Sequence, residues 1–172
     1  MKRVMFVSSK GGHFDELMKL EPLFKNYKVT IVTEAPNNKK TVKEKYNKYN
    51  IHFLLKCSKY KIVNVFKIFI DCFISLYYFI RFRPKYIVTT GAFAAGPISC
   101  IGKIFRSKII FIETMANINT PTVTGKKIYK FADLFIVQWE DMLEVYPKAV
   151  YGGWIIWYLL HLVLKINSFI GY

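Results

Sequence analysis

At 172 residues the chain has room for one domain and not for a second complete catalytic one. Hydrophobic residues make up 53% against 22% charged, enough apolar surface to offset the entropy of ordering, so a disordered chain is excluded. The 26 Lys and Arg exceed the 11 Asp and Glu by +15, an excess that calls for a polyanion, a phosphate-bearing substrate or an anionic membrane face.

In chain order, a strand is expected near Arg3 to Val7 and a helix over Phe14 to Leu20, then a strand near Lys28 to Val32 and a helix over Lys39 to Tyr49. A strand near Ile51 to Leu55 leads into a long helix over Ile62 to Phe82, and a strand near Tyr86 to Thr89 into a helix over Pro97 to Ile104. The pattern closes with a strand near Lys108 to Ile112, a helix over Lys126 to Phe131 and a strand near Leu134 to Val137. Short, β-branched strands alternating with helices predict an α/β fold, a Rossmann-like doubly wound parallel sheet. The apolar run at the start of the chain is only about four residues, too short for a signal peptide. Cys57, Cys72 and Cys100 are odd in number, widely spaced and set in apolar runs, which argues against a disulfide framework or a zinc site and for a reducing compartment; no metal is expected. Neither an RNA-stacking motif nor a helix-turn-helix is recognisable, so no nucleic-acid partner is expected.

Two stretches are unusually apolar. On the helix over Ile62 to Phe82, Asn64, Lys67, Asp71 and Ser75 recur at spacings of three and four and fall on one stripe, the rest of the surface being apolar. This reads either as a core helix packed on the sheet or as a helix whose outer face, with Phe66, Phe69, Phe73 and Tyr77, lies in a membrane interface. Lys56, Lys59 and Lys61 before it and Arg81, Arg83 and Lys85 at its end favour the second reading. From Trp154 to Ile170 the chain is again apolar, interrupted by His161, Lys165, Asn167 and Ser168, and is shorter than the roughly 20 residues of a membrane span. Residues 1–153 are therefore expected to form the domain and 154–172 an apolar tail that meets a membrane or a partner.

The chemistry concentrates where strands give way to helices, the ligand-binding edge of such sheets. Ser8-Ser9-Lys10-Gly11-Gly12-His13 follows the first strand, and its paired glycines and helix N-terminus suit a phosphate. It has neither the dinucleotide fingerprint nor the Gly-Lys-Ser/Thr of a P-loop, so nucleotide binding by this chain is not expected. A second loop, Thr89-Thr90-Gly91-Ala92-Phe93-Ala94-Ala95-Gly96-Pro97, repeats the arrangement, and two such loops on one edge suit the two phosphates of a lipid diphosphate. Ser8, Ser9, Gly11, Gly12, Thr90, Gly91, Ala92 and Gly96 are thus the candidate acceptor and phosphate contacts. His13, opening the first helix, reads as a general base for a sugar hydroxyl or as a histidine bracing its loop. Glu113, at the end of the strand near Lys108 to Ile112, reads as a sugar-binding or basic carboxylate or as a cap for the helix beginning near Thr124. Gln138-Trp139-Glu140 reads as a strand end with a packed Trp.

These motifs, with Ala132-Asp133-Leu134-Phe135-Ile136-Val137-Gln138-Trp139-Glu140 and Tyr146-Pro147-Lys148-Ala149-Val150-Tyr151-Gly152-Gly153, resemble the bacterial polysaccharide-biosynthesis proteins related to the membrane-recruiting, acceptor-side subunit of the dolichol-pathway UDP-N-acetylglucosamine transferase. The resemblance implies the N-terminal half of a GT-B glycosyltransferase split between two chains, active only with its partner. It further implies transfer of a sugar to a lipid-diphosphate-linked saccharide in capsular or exopolysaccharide biosynthesis. The UDP-sugar donor is expected on a catalytic partner chain, no cofactor is expected, and the expected location is the cytoplasmic face of the plasma membrane, peripheral or weakly anchored. By the same likeness His13 and Glu113 are the candidates for proton abstraction or sugar contacts; a non-catalytic membrane scaffold for the partner is the alternative. Asn117 stands where family members carry an arginine, and the segment after Gly153 departs from the family pattern.

Overall fold

Each strand contributes alternate residues to opposite faces of one sheet. Val4 and Phe6 enter one apolar cluster and Met5 and Val7 the other, and Ile110 and Ile112 are likewise divided from Ile109 and Phe111. Burial on both faces is what continuous apolar runs require. The computed structural model describes residues 1–56, 61–155 and 159–171. Its strands are β1 (Arg3–Ser8), β2 (Lys28–Glu34), β3 (Ile51–Leu54), β4 (Tyr86–Thr89), β5 (Lys108–Ile112), β6 (Leu134–Val137) and β7 (Val150–Tyr151), all parallel, in the order β3-β2-β1-β4-β5-β6-β7. One face carries α1 (Gly12–Lys19), α2 (Glu21–Phe24), α3 (Lys39–Lys45) and α8 (Leu159–Gly171). The other carries α4 (Lys61–Phe82), α5 (Ala95–Ile104), α6 (Val123–Ile128) and α7 (Met142–Val145). This is the doubly wound sheet that the alternation predicts.

Several boundaries differ from the expected ones, and two of them have clear local reasons. The helix after β2 ends at Lys45, because Tyr46 and Tyr49 turn inward to meet Phe14 and Phe24 edge-on at 5.5 and 5.1 Å. The helix expected over Lys126 to Phe131 begins at Val123, capped by Thr122, whose hydroxyl accepts from Gly125 N at 2.9 Å.

The apolar tail is part of the domain. Leu162, Ile166 and Ile170 of α8, spaced by four, are fully buried against the sheet in the same cluster as Phe6 and Ile112. Tyr27 donates to Asn167 Oδ1 at 2.6 Å and Lys2 to the Ile170 carbonyl at 2.5 Å, which ties both ends of the chain together. Residues 156–158 of that expected tail lie outside the described residues.

α4 is inverted. Asp71 and Ser75, the polar stripe of the sequence, are fully buried beneath it, and Asp71 Oδ1 accepts from Leu55 N at 2.9 Å. Burial, with Glu34 nearby, raises the Asp71 carboxyl above its usual range despite that bond and Lys67. Phe66, Phe69, Phe73 and Tyr77 point outward, each at least 60% exposed, and Ile104 and Phe105 at the end of α5 are exposed beside Arg106. The helix therefore has both characters weighed in the sequence: Ile74, Tyr78, Phe79 and Phe82 pack on the core, and a second apolar face is left uncovered. Lys59 and Cys57 lie outside the described residues, as do the side chains of Lys61 and Asn64.

Candidate functional site

The strand order reverses between β1 and β4. From β1 the chain crosses to β2, and from β4 to β5, so the two loops leaving these neighbouring strands diverge and open a crevice at the carboxyl edge of the sheet. Three hydrogen bonds join them: Ser9 N donates to the Gly91 carbonyl at 2.8 Å, Ala94 N to Ser9 Oγ at 3.3 Å, and Thr90 Oγ1 to the His13 carbonyl at 2.7 Å. The pairing expected of the loops is thus a physical contact. Ser8, Ser9 and Thr90 are buried in it, so their side chains brace the crevice rather than line its mouth.

The glycines divide into two roles. Gly11 has φ 77° and Gly91 φ 88°, conformations that side chains rarely adopt. Gly12 and Gly96 face open space, with nothing within 4 Å of an added Cβ. Gly11 occupies the N-cap of α1 without any side-chain cap, and its carbonyl accepts from Phe14 N and Asp15 N. With Phe14 N and Asp15 N held by that carbonyl, Gly12 N and His13 N are the first-turn donors at the crevice, with the positive end of the helix dipole behind them. In the second loop, Gly91, Ala95 and Gly96 spend their N–H groups on Thr89 Oγ1 and on the carbonyls of Ala92 and Phe93, so that loop shapes the crevice more than it offers donors.

His13 lies half-buried where the loops meet, its ring 3.7 Å from the position a Cβ on Gly91 would take. Its Nδ1 is buried without a hydrogen-bond partner. Glu113 is elsewhere. Its carboxylate is 1% exposed and accepts from Thr122 Oγ1 at 3.0 Å, Tyr146 OH at 3.0 Å and Thr114 N at 3.1 Å. These bonds make it a brace for the start of α6. The burial of Tyr146, followed by the nearness of Glu113, holds its phenol far above the usual range. Gln138 extends the brace, donating to the Glu113 carbonyl and accepting from Ile155 N, both at 2.9 Å, and Trp139 donates to the Met115 carbonyl at 2.8 Å. Asn117 donates to the Thr120 carbonyl at 2.8 Å on the surface.

Sequence reasoning missed Glu16. It lies three residues after His13, a spacing that puts both on one side of α1. Its Oε1 accepts from Thr114 Oγ1 at 2.9 Å and Met115 N at 3.1 Å, and its Oε2 is buried without a partner. Burial raises its pKa, the bonds from Thr114 and Met115 and the nearby His13 oppose the rise, and Glu113 adds to it. Among the described residues no group of His, Cys, Asp and Glu could hold a metal ion.

The family model for oligosaccharide biosynthesis proteins like Alg14 matches residues 4–155. The UDP-N-acetylglucosamine transferase subunit ALG14 of Mus musculus is 24% identical over 184 residues, covering 90% of this chain and 83% of that protein. Acinetobacter baumannii MurG superposes with a TM-score of 0.66 at 15% identity, over 82% of this chain and 43% of that one. The UDP-N-acetylglucosamine 2-epimerase of Rickettsia bellii does so with 0.71 at 12%, over 100% and 49%. The chain spans just under half the length of each of these two solved proteins, and their likeness establishes a Rossmann-like half of the GT-B type.

Because the folded Glu16 binds its proton more tightly than the unfolded one, its carboxyl contributes stability fully below about pH 4.5, and this is lost as pH rises through the folded value. Glu16→Gln keeps an acceptor for Thr114 and Met115 and removes the buried charge. The variant should melt above the wild type at pH 7 and lose that advantage as the pH falls toward 4.5, as followed by thermal denaturation across pH; an unchanged difference at both ends would contradict it.

Proposed function

The chain belongs to the family of oligosaccharide biosynthesis proteins like Alg14, and from that premise we propose that it is the acceptor-side subunit of a two-chain glycosyltransferase. The observation that carries this reading is the crevice at the β1/β4 reversal, with the uncapped start of α1 and His13 at its mouth. A lipid diphosphate meets the first-turn N–H groups there, and the sugar hydroxyl to be glycosylated meets the His13 imidazole, which takes its proton. The donor is a UDP-sugar held mainly by a catalytic partner chain, which completes the second half of the GT-B pair. Support for this division comes from the mouse relative, a transferase subunit of whose length this chain covers 83%, and from loops that lack a nucleotide fingerprint. The biological setting we propose is capsular or exopolysaccharide assembly.

The inverted α4 supports attachment to a membrane, and the site we propose is the cytoplasmic face of the plasma membrane. No described helix is long and apolar enough to cross a membrane, but the exposed Phe66, Phe69, Phe73 and Tyr77 are placed to enter an interface. Burying each such side chain contributes about 1.5–3 kcal/mol, against about 1 kcal/mol for each Lys or Arg, such as Arg81 and Arg83, near an anionic surface. The apolar contribution is the larger one, so salt should weaken the attachment without abolishing it.

Two outcomes follow. In flotation with anionic vesicles, the chain should rise with the lipid at low salt, partly remain there at high salt, and stay in the soluble fraction once Phe69→Asp and Phe73→Asp are combined; flotation of that double variant would contradict the assignment of α4. With the partner and a UDP-sugar supplied, transfer should appear only when both chains are present, and His13→Ala should slow it by about 10²- to 10⁴-fold. His13→Asn, which keeps a hydrogen bond but takes no proton, should slow it comparably. Near-normal turnover in His13→Asn would move the catalytic role to Glu113 or to the partner chain.

A further inference from the structure

Beside the crevice, α1 and the segment following β5 enclose a cleft of about 470 Å³, within the range of about 300–1,000 Å³ typical of small-molecule sites. His13 and Glu16 line it, and each contributes a buried polar atom without a hydrogen-bond partner, Nδ1 and Oε2 respectively. Glu16 is only 8% exposed, and the bonds from Thr114 and Met115 to its other oxygen hold the carboxyl in place. Buried polar atoms are satisfied in the great majority of folded proteins, so two exceptions on one cleft call for a ligand that satisfies them.

The chemistry of the walls narrows what that ligand is. A carboxylate accepts hydrogen bonds and donates none, so the ligand must bring a donor to Oε2. An anion against Oε2 is disfavoured, since the carboxylates of Asp15 and Glu16 outnumber the single cation, Lys19, in the lining. Met115, Ala116 and Ile155 form an apolar wall that gives a strongly hydrated cation nothing to coordinate. A neutral ring with hydroxyl groups along its edge and C–H groups on its faces matches both walls.

We infer that this cleft holds the saccharide ring of the acceptor, with Glu16 Oε2 accepting from a ring hydroxyl and Met115 and Ile155 underlying a ring face. The inference rests on the acceptor-side reading and adds to it a residue that selects the sugar, next to the phosphate contact at Gly12, which lines the same cleft. Glu16 is a binding residue here, and the base remains His13.

The test is direct binding by the full chain, with no partner or donor present. Methyl N-acetyl-β-glucosaminide and methyl β-glucoside are titrated while NMR follows the Met115 methyl group and the His13 ring protons. At least one glycoside should shift both sets of signals saturably, and Glu16→Gln should weaken that binding by about tenfold, the scale of one hydrogen bond to a charged group. Because Glu16→Gln is expected to be the more stable protein at neutral pH, a loss of binding is not a loss of fold. Absence of shifts at both groups up to about 100 mM glycoside, or equal binding by Glu16→Gln, would overturn the inference. Transfer by the reconstituted pair without glycoside shifts would remove this site and leave the transferase reading intact. Shifts in the chain alone without transfer would support the site and count against that reading.

Discussion

The arrangement depends on one topological constraint, the reversal of strand order between β1 and β4. Right-handed crossovers carry the chain from β1 toward one edge of the sheet and from β4 toward the other, so no connection covers the carboxyl ends of these two strands. The three hydrogen bonds between Ser9, Gly91, Ala94, Thr90 and His13 then set the width of the opening. Each contributes only about 0.5–1.5 kcal/mol to stability, and their importance lies in geometry. They hold the His13 ring against Gly91, in reach of whatever the uncapped start of α1 binds.

A second constraint acts on the opposite face of the sheet. In α4 the domain buries Asp71 and Ser75 and leaves a row of aromatic side chains outside, the reverse of what stabilises an isolated soluble domain. Burying Asp71 with one oxygen unpartnered is unfavourable. Such a helix makes sense when an apolar phase covers the outer face. The membrane reading joins it to the crevice, since an acceptor whose lipid stays in the bilayer has to meet a crevice held close to that bilayer.

The parts of the fold that were legible in the sequence are those in which local pattern and burial agree. β1, β4, β5 and β6 carry continuous apolar runs, and those of β2 and β3 are broken by Thr30 and His52; parallel strands buried on both faces read that way. β7 has only two residues and carries no period. The last helix reads as a tail because His161, Lys165, Asn167 and Ser168 interrupt its apolar run, although Leu162, Ile166 and Ile170 mark a buried face at a spacing of four. The two loops were legible because glycines after a strand and before a helix have few other uses. Glu16 was not, since a glutamate on a short amphipathic helix ordinarily faces water, and only Thr114 and Met115, 98 and 99 residues further along, bury it. For Glu113 the sequence leaves a choice between base and brace, and the bond that braces it comes from Tyr146, 33 residues away.

The central claim is that the β1/β4 crevice receives the acceptor, and photocrosslinking tests it most directly. A polyprenyl diphosphate-linked sugar carrying a diazirine beside the diphosphate would be irradiated with the chain and its partner on vesicles, and the adducts mapped by mass spectrometry. The account predicts adducts within residues 8–13 and 90–97 that unlabelled acceptor competes away. Adducts confined to the partner, or to the opposite edge of the sheet around Arg3, Lys28 and Lys108, would contradict it.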